Sequence, residues 1–368
     1  MYYSRNFVFA VLLLQLSFAK FSWAQGAVPP VNGAPNLSGQ GRFVKPTTST
    51  TLSFNDVTEL KRLADRGNGV AQNNLAYRYM RGQDGSPDLQ QARKLFVAAA
   101  AQGVAAAEYN LGVLYERGLG VAQDYATAAE HYRVAAEKGH ALAEARIGLL
   151  YENGWGVPRS NSEAMKWYRA AAEQGDPSAQ CRIADGYYEG AGHRRDYKEA
   201  AQWYRRAAEQ GFGPAQNNLA ALYHHGLGVQ TDYPQALYWY GKAAGAGISE
   251  ANNSLGVMYQ DGLGVKRDLQ QAAAWFTEAA EQGDLQGQFD LANLYMAGRG
   301  VPLDYVRAYF WYSIAARSGD KRSSHQLKQL RKLMTPRQVT DAQTMVSGRR
   351  PAEPAVEPEL RNHPSVHH

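Results

Sequence analysis

A period of 36 residues constrains this chain more than any other feature of its sequence. Glycine, tyrosine and alanine each recur at this spacing without an insertion or a gap. Four such series run from Gly67 to Gly319, Tyr79 to Tyr295, Gly82 to Gly298 and Ala92 to Ala308. A fixed period in this range is typical of a solenoid, in which each unit packs only against its neighbours.

The unit from Ala107 to Gly139 has the pattern of two amphipathic helices. Apolar and small residues recur on one face of its first half, and Gly118 can adopt the left-handed conformation that ends a helix. Asp124 is a typical N-cap for the second half, and Tyr132 lies on the apolar stripe that follows. The sequence therefore predicts an all-α, right-handed α/α superhelical solenoid of seven helix pairs with helical caps.

Five units also contain a capping box at the start of the second helix. In this motif, an N-cap Asp or Ser accepts a hydrogen bond from the third helical residue, and the Glu or Gln at that position bonds back to the N-cap N–H. We expect both bonds in these units. The pairs are Asp88/Gln91, Ser160/Glu163, Asp196/Glu199, Asp232/Gln235 and Asp268/Gln271.

Large and small residues alternate in a way that predicts how the units stack. Every unit has an alanine pair in its second helix, and five units have a tryptophan followed by Tyr or Phe. Large side chains over small ones would give a core that continues along the array. We therefore assign these tryptophans to the core and not to ligand stacking. They are Trp167, Trp203, Trp239, Trp275 and Trp311.

The segments that flank the repeats predict an exported chain. Arg5 precedes an apolar stretch at 7–19, and Ser22-Trp23-Ala24 fits a signal-peptide cleavage site after Ala24. The stretch is shorter than the roughly 20 residues that span a bilayer. We expect a periplasmic or secreted protein. The predicted segments are a signal peptide (1–24), a flexible linker (25–55), an N-terminal capping helix (56–68), seven repeats (69–319), C-terminal capping helices (320–346) and a disordered Pro-rich tail (347–368).

The repeat resembles that of the Sel1-like repeat family, an α/α solenoid related to tetratricopeptide repeats. Three units depart from its pattern, one at 83–87, one at Ser160 and one at His193. The resemblance implies an adaptor or scaffold, and bacterial members are often exported and act in envelope assembly, signalling or contact with a host. In one unit the matching residues are Ala251, Leu255, Gly256, Tyr259, Gly262, Gly264, Val265, Asp268, Ala272, Trp275, Phe276, Ala279, Ala280 and Gly283.

The sequence contains no G-x-S-x-G, H-E-x-x-H or phosphate-loop motif. Cys181 is the only cysteine, and we interpret it as a small packed side chain. His193, His224 and His225 could approach one another and bind a transition metal, but no spacing fixes a third ligand. We predict no catalytic residue, no metal and no cofactor.

Two alternative functions stay open. Cysteine-rich relatives in the family are associated with β-lactam binding or hydrolysis, which implies a β-lactam or cell-envelope hydrolase as one alternative. Those relatives carry paired cysteines in each repeat, whereas this chain has one cysteine. The other alternative is a structural bridge in envelope assembly or host contact, which would bind its partners through the ends of the array.

The charge balance bears on the class of partner. The chain has 39 Lys and Arg against 34 Asp and Glu, a net charge of +5. A nucleic-acid binder would need a dense basic face, which this small excess does not indicate. We expect a monomer that binds a protein or peptide, without nucleic acid and without stable insertion into a membrane.

The predicted binding site is a column of polar residues on the first helices, which line the concave side in related repeats. Asn can donate to and accept from a peptide backbone, while Arg146 and Arg182 could together hold a carboxylate. The alternative is an ordinary solvated helix face. The column is Asn74, Asn110, Arg146, Arg182, Asn218, Ser254 and Asp290.

A second candidate surface is the basic segment 321–332, near the C-terminal end of the repeats. It contains five Lys and Arg residues in twelve, which would suit an acidic partner or anionic lipid headgroups. The alternative is a solvated capping helix, because terminal repeats need a polar outer face.

Overall fold

The computed structural model describes residues 57–83, 85–190 and 194–348, and all regular secondary structure within these ranges is helical. The predicted signal peptide, the linker and most of the predicted C-terminal tail lie outside the described residues. His193 also lies outside them.

Each repeat consists of a first helix, a short connector and a second helix. Helix α1 (Val57–Asp65) precedes the repeats, and α16 (Lys321–Leu330) and α17 (Pro336–Gly348) follow them. The first helices are α2 (Gly69–Arg81), α4 (Ala105–Arg117), α6 (Ala141–Asn153), α8 (Pro177–Glu189), α10 (Gly213–His225), α12 (Ser249–Asp261) and α14 (Leu285–Ala297). The second helices are α3 (Leu89–Ala100), α5 (Tyr125–Glu137), α7 (Asn161–Glu173), α9 (Tyr197–Glu209), α11 (Tyr233–Gly245), α13 (Leu269–Glu281) and α15 (Tyr305–Arg317). Consecutive helices pack against one another along the chain, which confirms the predicted solenoid of seven helix pairs.

The second helices begin at the predicted N-caps, but the hydrogen bonding differs from a capping box. The Asp124 carboxylate accepts from the N–H groups of Ala126 at 2.9 Å and Thr127 at 3.2 Å. The N–H of Asp124 instead donates to the carbonyl oxygen of Tyr115, at 2.9 Å. The same bond from the N-cap to a tyrosine nine residues earlier occurs in all seven repeats. It replaces the expected return bond and ties the second helix to the last turn of the first.

Within the part of the chain that the structure describes, both bonds of a capping box occur beyond the repeats, at the start of α17. The N–H of Thr335 donates to Gln338 Oε1 at 2.9 Å, and the N–H of Gln338 donates to Thr335 Oγ1 at 3.3 Å. No preceding helix of the same pair supplies a carbonyl to the N-cap at this position. The repeat architecture, and not the local sequence, therefore decides which partner the N-cap N–H takes.

The connector glycines set how closely neighbouring repeats approach. Gly156 has a positive φ of 66°, and a Cβ at this position would lie 2.2 Å from the carbonyl carbon of Tyr125. Tyr125 is the first residue of the second helix in the preceding repeat. The connector of one repeat therefore rests directly on the backbone of the repeat before it, which requires glycine.

In three repeats, an aromatic ring of the second helix packs in the core on a glycine of the first helix. Tyr132 is completely buried, and a Cβ on Gly112 would lie 2.5 Å from its ring. Phe276 packs on Gly256 in the same way, also at 2.5 Å. The predicted packing of large side chains over small ones is present, and in three of the repeats the small partner is a glycine of the first helix.

The assignment of all five tryptophans to the core is correct only in part. Trp203 and Trp311 are buried, with 7% and 8% of their surface exposed. Trp167, Trp239 and Trp275 are half-buried. The residue after each tryptophan is the one that fills the core, because it lies closer to the centre of the stripe that faces the first helix.

Substitution of Gly156 by Ala should destabilise the array more than substitution of Gly139. Both glycines have a positive φ, so each Ala should cost about 1–2 kcal/mol. Gly139→Ala adds no contact within 4 Å, whereas Gly156→Ala forces the connector away from Tyr125, which should cost about 1–3 kcal/mol more. Urea unfolding monitored by circular dichroism measures the difference. Equal losses of stability would contradict the close contact between repeats.

Candidate partner-binding face

The seven predicted residues occupy the same position in seven consecutive first helices. All of them are half-buried, so each side chain packs against the array and keeps part of its surface accessible. We refer to this set as the polar row. It comprises Asn74, Asn110, Arg146, Arg182, Asn218, Ser254 and Asp290.

Members of the polar row contact the first helix of the preceding repeat. Asn110 Nδ2 donates to Asn73 Oδ1 at 3.0 Å. Arg146 Nη1 lies 3.6 Å from a carboxylate oxygen of Glu116, and these side chains are 20% and 11% exposed. Such partial burial makes the ion pair stronger than a typical surface pair. The polar row is therefore linked laterally from one repeat to the next.

Arg182 repeats this arrangement one unit further along. Its Nη1 lies 3.7 Å from a carboxylate oxygen of Glu152, in the preceding repeat. The two arginines were predicted to hold a carboxylate of the partner together. Each of them has a glutamate of this chain beside it, so positive and negative side chains alternate along this part of the polar row.

The two glutamates also accept hydrogen bonds from core tyrosines. Tyr132 donates its hydroxyl to Glu116, and Tyr168 donates to Glu152 at 2.6 Å. Burial, followed by the nearby carboxylate, raises the pKa of Tyr168 well above its usual value, so the phenol stays protonated. Each tyrosine thus has its ring in the core and its hydroxyl at the polar row.

Sequence reasoning did not identify Glu116 and Glu152 as part of the site. They lie 36 residues apart, in a column whose other members are Met80, Tyr188, His224, Gln260 and Met296. The sequence did contain a signal for these pairs. Two consecutive repeats have glutamate at one position of the first helix, and the repeat that follows each of them has arginine in the polar row. The contact itself depends on the distance between repeats, which the sequence does not specify.

Asp185 is a buried carboxylate on α8, one helical turn from Arg182 of the polar row. It accepts a hydrogen bond from the hydroxyl of Tyr204 at 2.6 Å. Burial raises the pKa of Asp185 to about 6, although the bond from Tyr204 and the charge of Arg182 act in the opposite direction. Its carboxyl group therefore changes charge close to neutral pH.

The polar row changes character in the last three repeats, where it has no arginine. Ser254 Oγ donates to the carbonyl of Glu250 at 2.9 Å. Asp290 accepts from Gln286 Nε2 at 2.7 Å, and burial raises its pKa to about 6 despite that bond and the charge of Arg322. This half of the face is less charged than the half that contains the arginines.

Among the described residues, which do not include His193, no group of three or more His, Cys, Asp or Glu side chains is placed to hold a metal ion. The rings of His224 and His225 stack with their centroids 4.6 Å apart. Burial, and then His225, lower the pKa of His224 to about 4. His224 is therefore neutral at physiological pH.

Cys181 is buried in α8, as predicted for a packed side chain. Burial, followed by the charge of Asp185, raises the pKa of its thiol well above the usual value. A thiol that stays protonated is a poor nucleophile.

The basic segment 321–332 is only partly available to a partner. Arg322 lies over the ring of Phe289 at 4.6 Å and donates to Gln286 Oε1 at 2.8 Å, so it attaches α16 to the last repeat. Ser323 and Leu330 are completely buried. The remaining basic residues are exposed, as expected for a capping helix. They are Lys321, Lys328, Arg331 and Lys332.

Comparison with protein families finds seven consecutive matches to the Sel1 repeat. The matches cover residues 69–104, 105–140, 141–176, 177–212, 213–248, 249–284 and 285–320. A search of curated proteins gave no significant match.

Two solved structures resemble the chain in both sequence and fold. A protective antigen present in uropathogenic Escherichia coli strains is 35% identical, with 79% of this chain and 70% of that chain covered and a TM-score of 0.60. A Sel1 repeat protein from Oxalobacter formigenes is 32% identical, with 65% of this chain and 96% of that chain covered and a TM-score of 0.58. Within the described ranges, no helix has the length and apolar character needed to cross a membrane.

The substitution Asp185→Asn should change how stability depends on pH. The pKa of Asp185 is raised from 3.8 in the unfolded chain to about 6 when folded, so the wild type loses stability as pH rises through that window. Asn cannot ionise and can still accept the bond from Tyr204. The variant should therefore gain on the order of 2 kcal/mol relative to wild type between pH 4 and pH 7.

Urea unfolding at several pH values tests this expectation. Asp261→Asn, at an exposed carboxylate on α12, serves as the control and should follow the wild-type profile. A difference between Asp185→Asn and wild type that does not vary with pH would show that Asp185 is already ionised without cost in the folded chain.

Proposed function

The chain belongs to the Sel1 repeat family, and from this membership we propose that it is an exported scaffold that binds a protein or peptide along the polar row. The supporting observation is the row itself. Seven half-buried polar side chains lie at one position of consecutive first helices, and contacts such as Asn110 to Asn73 join neighbouring repeats. Side-chain contact between successive first helices is expected on the inner side of a curved array.

The chemistry of the polar row favours an extended segment that offers both donors and acceptors. Asn74, Asn110 and Asn218 have amides that can pair with a peptide backbone. Arg146 and Arg182 are balanced by Glu116 and Glu152, so a strongly acidic segment would meet repulsion as well as attraction. We therefore propose a partner segment of mixed or low charge.

The proposed mechanism is presentation of a rigid surface without bond chemistry. The buried, protonated Cys181 thiol and the engagement of Asp185 by Tyr204 both support this proposal. Hydrolysis of β-lactams or cell-envelope material is the alternative, and a nitrocefin assay on purified protein separates the two. A structural bridge is the other alternative, and deletion of the terminal segments with the repeats intact would impair a bridge but not binding along the polar row.

Export is supported by two observations. The apolar stretch at 7–19 precedes a small-x-small cleavage pattern. The chain also shares 35% identity with a protein that is described as a protective antigen. We propose a periplasmic or secreted protein that is processed after Ala24.

The mature protein isolated from a periplasmic or culture fraction should begin at Gln25. Intact-mass measurement and N-terminal sequencing test this prediction. Substitution of Ala24 by Arg, which removes the small residue at the cleavage position, should leave a larger precursor. Recovery of the full-length chain from the cytoplasmic fraction alone would contradict the proposed export.

A photo-crosslinking residue at Asn110 or Asn218 should capture the same partner in the native host, because both positions lie on the polar row. Lys166, an exposed residue of α7, provides the control position on a second helix. Mass spectrometry of the crosslinked products identifies the partner. Capture from Lys166 but from neither row position would contradict binding along the polar row.

A further inference from the structure

The net positive charge of the chain is concentrated near the C-terminal end of the repeats. Residues 317–348, from the end of α15 through α17, contain seven Lys and Arg and two Asp and Glu. Their net charge of +5 equals that of the whole chain, so the other residues balance one another. An asymmetry of this kind is typical of a chain that contacts an anionic surface.

Helix α16 occupies the place of an eighth first helix, since Lys321 lies 36 residues after the first residue of α14. Three positions on a first helix meet the aromatic ring of its own second helix. In the second repeat, Tyr109, Gly112 and Glu116 all contact Tyr132. The equivalent positions after the seventh repeat are His325, Lys328 and Lys332.

This face of α16 is exposed, unlike its equivalents in the repeats. Helix α17 packs against α15, and Arg317 of α15 donates to the carbonyl oxygen of Val346 at 3.3 Å. Lys328 is exposed, whereas the seven Ala and Gly residues at its position in the repeats are all buried. We define the basic face as the exposed residues Lys321, His325, Lys328 and Lys332.

The basic face carries one sign of charge. Among the exposed residues of 321–333, every charged side chain is basic. The two carboxylates of the surrounding segment both have a cation beside them. Asp320 accepts from Arg322 Nε at 3.0 Å, and Asp341 lies 4.0 Å from Arg337.

The cap at the other end of the repeats shows that a polar end needs no excess of either charge. Helix α1 contains Glu59 and Asp65 as well as Lys61 and Arg62, and Arg62 pairs with Glu59. Both caps keep a polar surface toward solvent, as terminal repeats require. The single sign of the basic face is therefore not explained by capping alone.

An exposed leucine adjoins the basic face. Leu333 follows Lys332 directly and has 59% of its surface exposed, the highest value among the large apolar side chains in the described ranges. The next residue, Met334, is buried and anchors the turn. An apolar side chain held among cations suits the boundary between the headgroups and the acyl chains of a bilayer.

We propose that the basic face attaches the chain reversibly to a membrane that contains anionic lipids. The lysine ammonium groups lie among the lipid phosphates, and Leu333 enters the boundary beneath them. An acidic protein would match the charges, but it would need a shaped apolar pocket for Leu333, which a bilayer does not. Attachment of this kind requires no membrane-spanning helix.

The basic face lies on α16, whereas the polar row lies on the first helices of the repeats. A chain attached through the basic face therefore keeps its polar row available, and it would hold a partner beside the membrane. Membrane attachment does not depend on what the polar row binds.

Vesicle flotation tests the proposed attachment. The chain from Gln25 onward is used, so that the apolar stretch at 7–19 cannot itself bind lipid. Wild type should float with phosphatidylcholine vesicles that contain about one third phosphatidylglycerol, but only weakly with phosphatidylcholine alone. Added salt should release it, because ions screen the attraction. The double variant Lys328→Glu/Lys332→Glu should lower the partition coefficient by about tenfold or more.

Two further variants separate the basic face from net charge and from folding. Lys61→Glu/Arg66→Glu changes the net charge equally at exposed residues near the other end, and it should float like wild type. Leu333→Ser keeps every charge and should lower the partition coefficient about fivefold, because it removes an apolar contact with lipid. Circular dichroism should show the same helical content in all variants.

A wild-type chain that does not float with phosphatidylglycerol vesicles would overturn the proposal and would favour an acidic protein as the occupant of the basic face. Equal losses in the two double variants would also overturn it, because net charge alone would then explain the binding. Unchanged flotation of Leu333→Ser would contradict the contact between this side chain and lipid, and with it the choice of a membrane.

Discussion

In three repeats, an aromatic ring of the second helix packs on a glycine of the first helix, and this contact links the core of the repeat to the candidate binding face. The ring of Tyr132 packs on Gly112 in the core, and its hydroxyl donates to Glu116 on the first helix. Glu116 then pairs with Arg146 of the next repeat. The Tyr132 side chain therefore takes part in the packing within its repeat and, through Glu116, in the contact with the next repeat.

The elements of the fold could be predicted from the sequence because their signals are local. Asp124 caps a helix through its own carboxylate, and Gly118 ends a helix through its own backbone conformation. Predictions that depended on contacts between the two helices of a repeat were less accurate. The N-cap N–H bonds to a tyrosine carbonyl of the paired helix, and Trp239 is half-buried beside the fully packed Tyr240.

The position of the polar row followed from periodicity, but its electrostatics did not. Any residue 36 positions from Asn110 must lie on the equivalent part of the next first helix. Whether Arg146 stays free or pairs with a glutamate depends on side-chain conformation and on the distance between repeats. The pairing changes the expected partner from an acidic group to a segment of mixed or low charge, which a list of residue types could not reveal.

The central claim is that the first helices of the repeats form the surface on which a partner binds. Hydrogen–deuterium exchange of the chain with and without the captured partner measures this directly, because it reports protection helix by helix. The account predicts slower exchange in consecutive first helices, including α4, α6 and α8, with little change in α5 and α7. Protection confined to the terminal helices α1, α16 and α17 would contradict it.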